Sequence, residues 1–272
     1  MDKKYVLALR PLAHPDAVVA GETYRFTVLT DRLIRMEYQQ EGRFVDEPTQ
    51  TVICREFPEV PFRIIEQDNV LEIVTAHLHL YYDKNAFTRE GLRIELTEGF
   101  HAHGSVWNYG DAIEDLKGTA RTLDNADGAI KLESGILSRH GFTVLDDSAS
   151  SFITEDQWAK GKDRESTDLY FFGYGHDYLG CLKDFYRLTG AAPLLPRFAL
   201  GNWWSRFYRY SEESYLALME RFRSRNIPFS TAVIDMDWHL TDIPSKYGSG
   251  WTGYTWNPAL FPDPKRFMDK LH

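Results

Sequence analysis

Between residues 24 and 96 apolar and polar positions alternate in short runs. Residues 24–30 and 33–38 alternate with a period of two, and Asp31-Arg32 between them predicts a tight turn. Further strands are predicted over 60–65, 70–75, 77–82 and 92–96, with a turn at Gln67-Asp-Asn69. Short strands at this spacing, without helical periodicity, predict packed antiparallel sheets. The pattern changes late. Residues 169–172 read as a short apolar strand, and apolar positions 178, 181, 182, 185 and 188 then recur at helical spacing until Thr189-Gly190. Residues 1–190 therefore read as one β domain, closed by a Pro-containing linker at 191–196.

Beyond the linker the pattern is β/α. A strand is predicted over 198–204 and its loop over 205–210. Ser211 is placed to cap a helix with Glu212 and Glu213 in the first turn. Tyr215, Leu216, Leu218, Met219 and Phe222 make one stripe, and Asn226-Ile-Pro228 ends it. A β-branched apolar run over 231–234 then ends in Asp235 and Asp237. This is the form of a buried parallel strand delivering carboxylates to its C-terminal end. Strand, helix, strand is a βαβ unit. A long loop, 238–262, holds Trp238, Trp251, Tyr254 and Trp256, and Asp263-Pro264 opens another helix. One βαβ unit and a helix cannot close a barrel, so the sequence reads as cut off within a domain.

Composition narrows the function classes. The 272 residues carry 31 Lys and Arg against 40 Asp and Glu, a net charge of -9, which disfavours nucleic acid as the partner. Mean hydropathy is -0.41 and no apolar run approaches 18 residues, so no membrane span is predicted. The N-terminus has no apolar stretch after its lysines. Together with two cysteines far apart, Cys54 and Cys181, this predicts free thiols and a cytoplasmic protein. Seven Trp and 15 Tyr suit a β-rich core and equally suit sugar binding.

The candidate chemistry gathers at the end of the 231–235 strand. A carboxylate accepts hydrogen bonds from sugar hydroxyls, and an indole packs on the C–H face of a pyranose. Asp235 with Trp238 fits that use, against a bland reading of Asp235 as a salt-bridged acid. Trp238 and Trp256 fit loop packing equally well. Trp203 and Trp204 alternate sides, so at most one faces a barrel interior. His176, His239 and His272 lack metal-ligand spacing, and the pairs His77/His79 and His101/His103 read as surface strand residues. Gly173-Tyr-Gly175 lacks phosphate-loop spacing and no nucleophile elbow is present, so neither a metal nor a cofactor is expected.

Three motifs in order carry a resemblance. These are Leu200-Gly-Asn-Trp-Trp-Ser-Arg206, Val233-Ile-Asp-Met-Asp-Trp238 and Trp256-Asn-Pro-Ala-Leu-Phe-Pro-Asp-Pro264. With Gly118-Thr-Ala-Arg-Thr-Leu-Asp124, Gly135-Ile-Leu-Ser-Arg139 and Tyr170-Phe-Phe-Gly-Tyr-Gly175, the chain resembles glycoside hydrolase family 31 over residues 20–272. The resemblance implies a galactose-mutarotase-like β-sandwich, residues 1–190, followed by the first β/α units of a (β/α)8 TIM barrel, residues 191–272. It implies a retaining α-glycosidase, most simply an α-glucosidase acting on α-glucosides or oligosaccharides. Such enzymes use two carboxyls about 5 Å apart. The resemblance puts both after later barrel strands, so this chain is expected to be inactive alone. It implies sugar contacts from Asp235 and Met236, an aromatic contact from Phe207 or Tyr208, and an acid from the sandwich, Asp124 or Asp127. Asp237 is read as orienting the strand end and Trp238 as bordering the pocket. The full-length protein is left open to homo-oligomerisation. Two other readings stand beside this one: a carbohydrate-binding or scaffold sandwich, and a mutarotase-like epimerase, which would need a His and acid pair.

Overall fold

The computed structural model describes residues 6–97, 105–120, 122–162 and 165–272; His101 and His103 lie outside them. The chain divides into two compact units, Met1–Ala192 and Pro193–His272.

Among the described residues the first unit has twelve strands and an α-helix. In chain order these are β1 (Val18–Ala20), β2 (Tyr24–Thr30), β3 (Leu33–Tyr38), β4 (Arg63–Gln67), β5 (Val70–Val74) and β6 (Leu78–Tyr82). Then come β7 (Leu92–Leu96), β8 (Val106–Asn108), β9 (Thr143–Asp146), β10 (Phe152–Ile153), β11 (Ala159–Lys160), β12 (Thr167–Phe172) and α1 (Tyr178–Thr189). One antiparallel sheet has the order β1-β2-β3-β12-β9 and the other β4-β5-β6-β7-β8. The predicted strands are present with shifted ends. The one expected over 60–65 pairs only from Arg63, and β12 begins two residues before its apolar run.

The two sheets share a core. Phe26, Val28, Ile34, Met36, Leu169 and Phe171 of one pack with Leu71, Ile73, Leu80, Leu92, Ile94 and Trp107. Phe26 meets Tyr82 edge-on at 5.1 Å. Val28 and Leu29, on opposite faces of β2, are both buried, in separate clusters, and the β2–β3 register shifts between Val28 and Thr30.

Alternation then sends Arg25, Arg35, Glu37, Asp168 and Tyr170 to the opposite face, where they are also buried or nearly so. Arg35 donates from Nε and Nη2 to both oxygens of Asp168, each at 2.8 Å. Arg25 grips Glu37 at 2.6 and 2.9 Å and reaches Asp46. Arg55 donates to Tyr170 Oη at 2.7 Å and to the carbonyls of Pro11 and Glu47. Burial pushes the Asp168 carboxyl up, but Arg35, together with Arg55 and Lys162, outweighs it and holds the group below the usual carboxylate range. Burial raises Glu37, and its arginine partners do not fully offset that. Cys54 and Cys181 are free; burial pushes the Cys181 thiol up to about 12, and Asp184 adds to it, so the thiol is inert.

The charge layer sets an acid response. A carboxyl held below its unfolded value stabilises the fold above that unfolded value, near pH 4, and the contribution fades as pH falls further. Asp168 acts in this sense. Glu37 opposes it, because its raised carboxyl gains a proton more readily in the folded state. Asp168→Asn removes the two-pronged partner of the buried Arg35, which keeps Glu37 at 3.0 Å and Asp46 at 3.3 Å. It is expected to cost about 3–5 kcal/mol of unfolding free energy at pH 7, read by urea titration. The loss should shrink below pH 4.

Candidate functional site

The second unit begins after the linker with a 3-10 turn, Arg197–Leu200, where a strand was expected. The extended segment shrinks to β13 (Trp203–Trp204). It is followed by α2 (Glu212–Ser224), β14 (Thr231–Ala232) and α3 (Pro264–Leu271). β13 and β14 pair in parallel, Trp203 with Thr231 and Trp204 with Ala232. Gly201 is required at the join, because a Cβ there would collide with the Ser230 side chain. The strand expected to run to Asp235 is likewise short. Its ladder continues only through Val233 N–H to the Trp204 carbonyl, 2.9 Å, and a parallel bridge between Arg209 and Met236. The expected (β/α)8 barrel is represented among the described residues by this one βαβ unit.

The predicted caps form. The Ser211 hydroxyl accepts from Ser214 N–H and the Asp263 carboxylate from Arg266 N–H. Glu212 does more than face the helix dipole. It is 7% exposed, and its carboxylate takes Arg266 at 2.9 Å and Lys270 at 3.8 Å, tying α2 to α3. The i,i+4 spacing of those two basic residues was the available signal. Trp204, Ala232 and Ile234 pack on the helix side with Tyr210, Tyr215, Phe261 and Phe267. Trp204 meets Phe222 at 4.8 Å. Tyr215 donates its hydroxyl to the Val233 carbonyl at 2.9 Å, which fixes the strand end two residues before Asp235.

Trp203, one residue over, is 50% exposed, its indole N–H on the Ala199 carbonyl at 3.2 Å. Asp235 is exposed and has no ion pair or hydrogen bond to its carboxylate among the described residues. Met236 is half-buried at the bridge to Arg209. Asp237 sits at φ 58°, a left-handed conformation that Asp tolerates, and turns the chain out of the strand. In the loop after β13, Tyr208 is taken on one side by Arg206, 4.4 Å above its ring, and leans on Tyr210 at 4.7 Å. Phe207 beside it is 80% exposed. Trp238 packs edge-on against Trp256 at 5.1 Å and near Tyr254 at 6.1 Å. His239 is buried, with neither ring nitrogen bonded; burial of this imidazole was not legible from spacing.

Asp124 and Asp127 belong to the first unit. A ribbon pairs Leu116 with Leu137 and Gly118 with Glu133 through backbone bonds of 2.8 and 2.7 Å. Asp115 braces it by accepting from Lys117 N–H and Gly135 N–H at 2.5 and 3.1 Å. Asp124 and Asp127 lie exposed at its far end. His14, Asp16 and Glu59, also in this unit, are the grouping among the described residues whose ligand atoms come close enough to hold a cation; all three are exposed.

A wide groove of about 1360 Å³ lies on the helix side, lined by Leu216, Phe222, Ile234, Trp238, Trp256 and Phe267 among others. Asp235 does not line it. Apolar side chains make up most of its lining. Replacing Tyr215 with Phe leaves the Val233 carbonyl without its donor. Chemical denaturation is expected to show a loss of about 1–3 kcal/mol in the stability of the second unit.

Residues 192–272 match the family model for the glycosyl hydrolases family 31 TIM-barrel domain. The chain is similar to an α-xylosidase of Saccharolobus solfataricus, 29% identical over 178 residues, which covers 64% of this chain and 23% of that protein. It is similar also to an α-glucosidase of the same organism, 30% identical over 91 residues, 34% of this chain and 12% of that one. The chain thus spans about a quarter or less of these relatives. Among solved structures it is similar to the dextranase of Flavobacterium johnsoniae in complex with glucose. There the TM-score is 0.57 at 16% identity, over 93% of this chain and 35% of that one, a likeness of fold.

Proposed function

The chain belongs to glycoside hydrolase family 31, and we propose that it supplies sugar-binding groups of a retaining α-glycosidase. The observation that carries this reading is Asp235, an exposed carboxylate without a partner among the described residues, at the C-terminal end of a parallel strand. In α/β barrels that end carries the active site. A free carboxylate there accepts hydrogen bonds from two vicinal hydroxyls, and charge-assisted bonds of this kind orient the ring. Met236 offers an apolar wall, Phe207 a free aromatic ring and Trp238 a pocket border. Asp124, at the tip of its ribbon, is proposed as a further hydroxyl acceptor, with Asp127 the competing residue. Asp237 orients the strand end.

Glycosidic bond cleavage with retention needs a carboxylate nucleophile and a carboxyl acid/base. None of the acids in this chain is assigned either role. The 272 residues by themselves are therefore expected to bind sugar without turnover. The proposed substrate is an α-glucoside, and the similarity to an α-xylosidase favours an α-xyloside as the second reading. A cytoplasmic location is part of the proposal, supported by the two free thiols.

Calorimetric titration of the purified chain with methyl α-glucoside and methyl α-xyloside tests the binding. Asp235→Asn should weaken the preferred glycoside roughly tenfold or more. Unchanged affinity would remove Asp235 from the site. Release of p-nitrophenol from p-nitrophenyl α-glucoside by the same chain would overturn the assignment of no catalytic acid.

A further inference from the structure

The loop that follows Trp238 holds aromatic rings that the packing of its own unit does not use. It is closed at its base by two backbone bonds, Leu240 N–H to the Thr255 carbonyl at 2.9 Å and Asn257 N–H to the Trp238 carbonyl at 2.8 Å. An antiparallel bridge joins His239 to Trp256 between them. Higher up, Gly250 at φ 79° packs so closely on Thr241 that a Cβ would collide with its carbonyl oxygen. The loop is therefore a closed, tightly folded excursion and not an open strap.

Its crown is apolar and exposed. Trp251 is 53% exposed and Tyr254 is 84% exposed. Both rings are rooted below. Trp251 stands edge-on to the buried His239 at 6.0 Å. Tyr254 leans on Trp238, which leans on Trp256, which meets the buried Phe261 at 5.7 Å. Exposed rings held by buried ones lose little freedom when a flat apolar ligand covers them. The loop leaves the strand end that bears Asp235, three residues after it.

We propose that Trp251 and Tyr254 form a second sugar-binding surface, stacking the C–H faces of residues beyond the one held at Asp235. The ligand is then an α-linked oligosaccharide and not a simple glycoside. This rests on the reading of Asp235 as a sugar contact. The rings give shape and apolar contact without a charge, which suits a neutral pyranose.

The test is a set of calorimetric titrations of the 272-residue chain with methyl α-glucoside, maltotriose and isomaltotriose. The proteins are the unsubstituted chain, Trp251→Ala/Tyr254→Ala, Tyr254→Phe and Asp235→Asn. The double alanine variant should bind the preferred trisaccharide roughly tenfold more weakly and methyl α-glucoside unchanged. Tyr254→Phe keeps the ring and should match the unsubstituted chain. Both ring positions are exposed, and an unchanged circular dichroism melt verifies the fold. Unchanged trisaccharide binding in the alanine variant overturns the proposal, as does an equal loss for both kinds of sugar. If Asp235→Asn still weakens both sugars in those cases, the Asp235 reading stands alone. If the unsubstituted chain prefers neither trisaccharide to the monosaccharide, the proposal falls as well. A sedimentation shift to a smaller species in the alanine variant, with trisaccharide affinity intact, would assign the crown to contacts between copies and overturn it too.

Discussion

A strand has two faces, and the period of two along it constrains everything else in this molecule. In the first unit the central strands β2, β3 and β12 are buried on both sides. Alternation sorts their residues into an apolar face between the sheets and a face of arginines, acids and Tyr170. In the second unit the same period divides Trp204 and Ile234, which pack toward the helices, from Trp203 and Asp235, which do not. The residue after Ile234 must point the other way, and that residue is Asp235.

The two faces are stabilised by different physics. The apolar side gains from removal of hydrocarbon from water and tolerates a choice of residues. The charged side is bound by geometry. Arg35 and Asp168 are nearly fully buried, and their paired bonds offset a desolvation cost that either would meet alone. At the strand end of the second unit the opposite holds. Arg206, Asp235 and Phe207 remain exposed, and only Arg206 is engaged, by a neighbouring ring. Charges that satisfy each other hold a fold, whereas Asp235 at the strand end has no such partner among the described residues.

The helices serve that strand end indirectly. Tyr215 on α2 holds the Val233 carbonyl, and Glu212 at the start of the same helix holds α3 through Arg266 and Lys270. Below the long loop, the aromatic chain from Tyr254 to Phe261 connects the exposed crown with the unit's core. The strand end is thus defined by contacts several residues away from the acids it presents.

Strands β2 to β7 and β12 of the first unit, the caps of α2 and α3 and the acids of the 231–238 stretch were legible in the sequence, because each depends on local spacing or a local cap; the short strands β1 and β8 to β11 were not. So was the order of motifs that marks the family. The lengths of the strands were not. A segment extends only as far as it has a partner, so β13 and β14 shrank to two residues each and 197–200 wound into a turn. Nor did spacing reveal that Arg35 meets Asp168, 133 residues away, that Tyr208 is occupied while Phe207 is free, or that His239 is buried. These were decided by which side chains arrive at one place, and burial and pairing are properties of that place and not of the residue.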